Sequence, residues 1–355
     1  MSTDALFQPL HLGALTLSNR ILMAPMTRSR ATNDDLVTDM HVQYYQQRAS
    51  AGLIISEGVH PSPNGKGYNQ TPGIYNDEQQ LAWAKVTAAV HAEGGLIACQ
   101  LMHCGRAGHP VNKAPDTEML APSAIAAEAE IFTPEGMMAM PTPRALTREE
   151  IPQVIAEYVD AAKRCRAAGF DAVELHATSG YLPAQFLSPH SNQRTDEYGG
   201  SLENRRRFVV ELMAALADAI GADRVGIRIA PGNAFNDNRD DDPEATFTGL
   251  LQALSGQGYA WLHVIRVPGA SLDNLAMARQ WFDGPVIGND SYDADEAAAA
   301  ISEGAVDAVS FGRGFISNPD LPKRFKLGAE LNKFDRKTLY AGSAPGFIDY
   351  PSLDA

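Results

Sequence analysis

At 355 residues, 45% apolar and 20% charged, the chain has material for a large buried core, and its length suits one barrel with loop insertions as well as two smaller domains. A formal charge of −14, with no cluster of Lys and Arg to offset it, argues against nucleic acid or an anionic membrane surface as a partner and leaves small molecules. No run approaches the roughly 18 consecutive apolar residues of a spanning helix, and Met1 to Phe7 has neither a basic start nor an apolar signal stretch, so the expected compartment is the cytoplasm.

The first element in chain order is a short hairpin. Phe7 to Leu17 alternates apolar and polar residues around Gly13, a pattern that suits a plug for the bottom of a barrel. Eight short β-rich runs follow, at Ile21 to Met26, Leu53 to Ser56, Leu96 to Gln100, Ala172 to Leu175, Val225 to Ile229, Trp261 to Ile265, Val286 to Gly288 and Val306 to Phe311. Helical stretches separate them. Ile151, Val154, Ile155, Tyr158, Val159, Ala162 and Cys165 step by three and four residues, as do Phe208, Val209, Leu212, Ala215, Leu216 and Ala219. Thr147 and Ser201 mark helix starts, and Gly169, Gly221 and Gly258 mark helix ends. Gly105 to Arg144, long and rich in Pro and Ala, reads as an excursion over the barrel mouth.

Strand and helix repeated eight times give the expected fold: an α/β (β/α)₈ TIM barrel with an N-terminal hairpin and a long excursion after strand 3, one domain over 1–355. A doubly wound open sheet is the competing architecture, but no GxGxxG follows the first strand.

In such a barrel the chemistry gathers at the carboxyl ends of the strands. Those ends carry Thr27, Ser56-Glu57-Gly58, Gln100 with His103, His176, Arg228 and His263. The loops after strands 7 and 8, Ile287-Gly288-Asn289-Asp290 and Phe311-Gly312-Arg313-Gly314, suit a phosphate. Arg228 inside a strand needs an anion, either a structural partner such as Glu174 or Asp171 or an anionic cofactor ring. No strand end bears the Lys of a Schiff-base aldolase, and strand 1 has no His for a metal hydrolase, so no metal is expected. Cys99, Cys104 and Cys165 lack CxxC spacing and read as packing residues. If the chain turns helical at His176, Ser179 shares its face and both can donate to one oxygen, with Tyr181 nearby as an acid.

The run His176, Gly180-Tyr181-Leu182, Gln185-Phe186-Leu187, Asn192, Arg194-Thr195-Asp196, Tyr198-Gly199-Gly200-Ser201 and Glu203-Asn204-Arg205 resembles the old yellow enzyme family. So do Ala24-Pro25-Met26-Thr27-Arg28, Gln100-Leu101 with His103, Phe311-Gly312-Arg313, and Asn318-Pro319-Asp320-Leu321. The resemblance implies FMN at the mouth, with Pro25, Met26, Thr27 and Gly58 beside its ring, Gln100 and Arg228 at its pyrimidine edge, and Gly288, Asn289, Gly312 and Arg313 at its phosphate. It further implies NADPH as reductant and activated alkenes as oxidants. His176 and Ser179 would hold the substrate oxygen and Tyr181 would protonate the α-carbon, while Tyr68, Met102 and Tyr340 would line the substrate site. A monomer or weak homo-oligomer is expected. Ser179 stands where the family usually has Asn or His, and Met102 where many relatives carry Trp. Rival functions are a barrel isomerase or lyase without flavin and a flavin-binding protein of low turnover.

Overall fold

Short runs of β-branched and aliphatic residues, each bounded by a helix long enough to cross back over the sheet, leave parallel pairing as the available arrangement. In the computed structural model, which describes residues 3–267, 269 and 271–353, the barrel strands are β1 (Ile21–Met23), β2 (Leu53–Val59), β3 (Ile97–Leu101), β4 (Ala172–His176), β5 (Val225–Ile229), β6 (Trp261–Ile265), β7 (Val286–Asn289) and β8 (Ala308–Phe311). Each is parallel to the next. Val309 and Ser310 of β8 then pair with Ile21 and Leu22 of β1, closing the barrel. The open-sheet alternative is thereby excluded. Met1 and Ser2, at the start of the Met1–Phe7 reading, lie outside the described residues.

The helices around the barrel are α1 (Asp39–Gln46), α2 (Asp77–Ala92), α3 (Ile151–Ala167), α4 (Leu202–Ile220), α5 (Pro243–Leu254), α6 (Asn274–Trp281), α7 (Ala294–Ser302) and α8 (Leu321–Leu327). Their apolar stripes, such as Val154, Tyr158, Ala161 and Cys165 of α3, pack on the outward residues of the strands. Ser201 caps α4 through a bond from the Asn204 amide at 3.2 Å. By contrast α3 starts later than Thr147 suggests. Glu150 stands at its N-cap and takes the Thr147 amide at 2.7 Å, so those four residues form a turn before the helix.

Two strands end about three residues away from expectation, for local reasons. Proline at position 25 has no N–H to extend a ladder, and β1 stops at Met23. A register shift between Ile55 and Gly58 lets β2 continue to Val59, so Ser56-Glu57-Gly58 lies within the strand and not beyond it.

The hairpin strands Leu10–Leu12 and Leu15–Leu17 pair across Gly13, whose φ of +57° and whose approach to the Asp223 carbonyl leave no room for a Cβ. Leu12, Leu15 and Leu17 pack against Leu22, Leu53, Ile55, Ala98, Ala172, Ile287 and Ala308, plugging the bottom. At the other end the excursion folds a hairpin, Glu130–Thr133 with Gly136–Ala139, toward the mouth. Buried Arg106 ties it down by donating to Ala126 at 3.1 Å and to the Asp237 carbonyl at 2.8 Å. The C-terminal segment has little regular structure. Arg28, Arg30 and Arg324 hold it through bonds to the carbonyls of Gly346, Thr338 and Pro351, and it carries Tyr340 to the rim.

Candidate active site

Side chains alternate inward and outward along a strand, so every second residue of the barrel faces its axis. Past the apolar plug the inward positions become polar: Gln100 on β3, Glu174 and His176 on β4, Arg228 on β5, His263 on β6, Asn289 on β7 and Ser310 on β8. Register places Glu174 beside Gln100, His176 beside Arg228, Arg228 beside His263 and Asn289 beside Ser310. Gln100, His176, Arg228, Asn289 and Ser310 line a cavity of about 1510 Å³ at the mouth, while Glu174 and His263 are fully buried behind them.

Arg228 does not pair directly with Glu174 or Asp171. It donates to His263 Nε2 at 2.9 Å and to Asn289 Oδ1 at 2.7 Å. His263 in turn faces Glu174 through Nδ1 at 2.9 Å. Because a carboxylate only accepts, the proton of neutral His263 sits on Nδ1, and Nε2 accepts from Arg228 and from the Ser310 hydroxyl at 2.7 Å. Burial and the nearby Arg228 charge push His263 down to about 4. Asp171 is occupied elsewhere, by His91 and the Ile97 amide.

The loop after β4 is not helical at His176. His176 ends the strand, Ser179 adopts a left-handed φ of +58°, and Tyr181 sits at the N-cap of a short helix, Leu182–Leu187. The shared-face geometry expected for a helix is therefore absent, because Ser179 and Gly180, both with positive φ, turn the chain first. His176, Ser179 and Tyr181 nonetheless line one cavity. The rings of His176 and Tyr181 meet edge-on, centroids 4.7 Å apart. Burial, with the Arg228 charge, pushes His176 down to about 3, so the imidazole is neutral. Its Nδ1 is buried without a hydrogen-bond partner among the described residues, which leaves Nε2 as the nitrogen for a ligand. Burial also raises Tyr181 well above an ordinary phenol and Tyr68 to about 12. The two hydroxyls are hydrogen-bonded at 3.1 Å.

Pro25, Met26, Thr27, Gly58, Gln100, Arg228, Asn289, Gly312 and Arg313 all line the same cavity, as do Tyr68, Met102 and Tyr340. Gly288 stands apart: it lies in β7 with Val306 and the Tyr292 hydroxyl where a Cβ would be, behind the cavity wall. A Cβ on Gly58 would lie 2.5 Å from the Met102 sulfur, so glycine there and Met102 are one fitted surface. The three cysteines are buried thiols, and burial raises Cys104 to about 12, as suits packing residues.

Several lining residues carry no motif. Asn236 donates to the Ser179 carbonyl at 2.9 Å and to Tyr68 at 3.3 Å, clamping the loops after β4 and β5 together. Its signal was an Asn-rich stretch, Asn233 to Asn238, after a strand end. Phe132, Met137 and Phe235 supply an exposed apolar rim and are visible in sequence only as loop hydrophobics.

A closed parallel barrel with a polar floor, a glycine in the loop after β8 and a neutral His–Tyr pair on the opposite side defines a cofactor-using barrel enzyme. Residues 5–332 match the model of the NADH:flavin oxidoreductase / NADH oxidase family, and the chain belongs to this family, the old yellow enzymes. It is 42% identical over 361 residues to a probable flavin mononucleotide-dependent alkene reductase of Leishmania infantum, covering 99% of this chain and 98% of that one. Among solved structures, morphinone reductase in complex with tetrahydroNAD is 46% identical, with a TM-score of 0.94 over 98% of both chains. The old yellow enzyme homologue from Zymomonas mobilis is 39% identical, with a TM-score of 0.95 over 98% of this chain and 99% of that one.

The residues fit FMN. Gln100 uses its Nε2 on Glu174 at 2.8 Å, which leaves its carbonyl oxygen for the cavity, and Arg228 keeps N–H groups beyond those given to His263 and Asn289. An acceptor and a cation side by side match the imide edge of an isoalloxazine. Gly312 leaves the wall open beside Met26, and Arg313 adds charge for a phosphate.

Proposed function

We propose that this chain is an FMN-dependent ene-reductase that passes hydride from a nicotinamide dinucleotide to activated alkenes such as enones and maleimides. One observation carries the reading: neutral His176 and a protonated Tyr181 stand together over a cavity whose floor is Arg228 and Gln100. FMN, when bound, supplies the hydride-carrying ring. Gln100 and Arg228 would hold its pyrimidine edge, and Asn289, Gly312 and Arg313 would hold its phosphate. His176 donates from Nε2 to the carbonyl or nitro oxygen of the alkene, with Ser179 adding a second donor. That polarises the double bond toward hydride addition at the β-carbon. Tyr181 gives a proton to the α-carbon, and its bond to Tyr68 keeps the phenol in place.

Both half-reactions use one cavity, so reductant and oxidant alternate and the kinetics are ping-pong. NADPH is the expected reductant. The test is an anaerobic visible spectrum after FMN reconstitution, recorded with NADPH or NADH and then with cyclohexenone. A flavin band that bleaches and returns supports the reading, and the faster nucleotide identifies the reductant. A protein that takes up no FMN overturns it and favours a phosphate-binding isomerase; a band that bleaches without returning makes the protein a flavin binder of low turnover.

A further inference from the structure

Glu174 is fully buried inside the barrel and meets three donors: Gln100 Nε2 at 2.8 Å, Trp261 Nε1 at 2.8 Å and His263 Nδ1 at 2.9 Å. Space for the indole is kept by Gly226, where a Cβ would lie 2.1 Å from the Trp261 ring. A carboxylate buried without a donor set would take a proton. Here burial is outweighed by His263, Arg228 and Trp261, which keep Glu174 ionised. A structural ion pair would place the carboxylate on the guanidinium; in this barrel His263 stands between them and hands Arg228 on toward the cavity.

We propose that Glu174 is a positioning residue for the flavin, fixing the Gln100 amide with its oxygen toward the cavity and balancing the Arg228 charge through His263. The proposal rests on the FMN reading and extends it to a residue that does not touch the cofactor. Two consequences follow from the chemistry of the groups. With Glu174 as acceptor, Gln100 cannot turn its NH₂ to the cavity without breaking a buried charge-assisted bond. With Glu174 ionised, the floor is neutral overall, so Arg228 stabilises the negative charge of reduced flavin less than an unbalanced guanidinium would.

The experiment measures the flavin midpoint potential and FMN dissociation constant of reconstituted wild type, Glu174→Gln and Glu174→Asp. Glu174→Gln removes the balancing charge, and reduced flavin should gain about tenfold over oxidised flavin, an upward shift of about 30 mV for two electrons. Glu174→Asp keeps the charge but withdraws it from Gln100. It should weaken FMN binding about fivefold while the potential stays within a threefold change, about 14 mV. A purely structural role would lower the melting temperature and move neither quantity. An unmoved potential in Glu174→Gln overturns the proposal, and so does an unchanged dissociation constant in Glu174→Asp, which decides alone if the Gln variant does not fold. Wild type that fails to take up FMN would sink the flavin reading itself, whereas wild type that binds it beside unmoved variants sinks the Glu174 assignment alone.

Discussion

At the bottom of the barrel the inward residues are Leu22, Leu53, Ala98, Ala172, Ile287 and Ala308, met by Leu12, Leu15 and Leu17 of the hairpin. Two residues further along the same strands they are Gln100, Glu174, Asn289 and Ser310. The lower half is held by contact and exclusion of water, which have no direction, so any side chain of the right volume serves. The upper half is held by hydrogen bonds that satisfy one another in sequence, and removing one member leaves a charge or polar group buried alone. Identical backbone geometry therefore supports a tolerant half and an unforgiving one. The proposed chemistry is placed on the second because only there are the polar atoms fixed.

Variants that separate the halves sharpen this contrast. The largest effect is expected for Arg228→Leu, which removes the cation that balances buried Glu174 and the donor to Asn289 Oδ1: about 3–5 kcal/mol of stability should be lost, with FMN retention lost as well, read by urea unfolding and FMN fluorescence titration. Leu17→Ala opens a cavity in the plug and should cost about 2–5 kcal/mol with an unchanged FMN dissociation constant. If FMN affinity fell in step with stability in this variant, the halves would be one cooperative unit and the contrast would fail.

Acid should act on the polar half. Burial holds His176 near 3 and His263 near 4, so the folded chain keeps both neutral while the unfolded chain takes up protons below about 6.5. The unfolded state then binds more protons, and stability falls as pH drops from that value, by about 2 kcal/mol per histidine at pH 5. His41 and His103, each pushed by burial to about 3, add to the loss. Glu57 works in the opposite sense: burial raises it to about 7, so its cost to the fold is relieved on acidification. Four histidines outweigh one glutamate, and thermal melts should show a lower Tm at pH 5 than at pH 7; an equal Tm would mean the histidines are hydrated.

The smallest effect concerns Ser179. Its left-handed φ of +58° suits Asn better than most residues, so Ser179→Asn places a longer donor at the cavity without backbone cost. KM for cyclohexenone should fall about threefold to tenfold, the worth of one added neutral hydrogen bond. An unaltered KM would mean that His176 alone holds the oxygen.

Periodicity and turn residues made the barrel legible before any coordinates. Eight β-rich runs at helix-length spacing, the alternation around Gly13 and the Pro-rich excursion are local patterns, and local pattern decides element type and order. That Gln100, His176 and Arg228 share one cavity was legible too, because strand ends converge in a closed barrel, whereas Tyr68, Met102 and Tyr340 were expected there only from the family resemblance. What the chain alone left open was which atoms satisfy which. The partner of Arg228 proved to be His263, not Glu174, because strand register and not sequence distance sets neighbours. The loop after His176 turned left-handed instead of helical, held by a bond from Asn236 some sixty residues on. Gly288 moved behind the wall because the barrel's inward alternation selects Asn289. The sequence by itself determined the barrel and the order of its strands, since those follow from short-range periodicity; tertiary structure decided the hydrogen-bond partners, the charge balance beneath the cavity and the path of the loop after His176, since each depends on contacts between segments far apart in the chain.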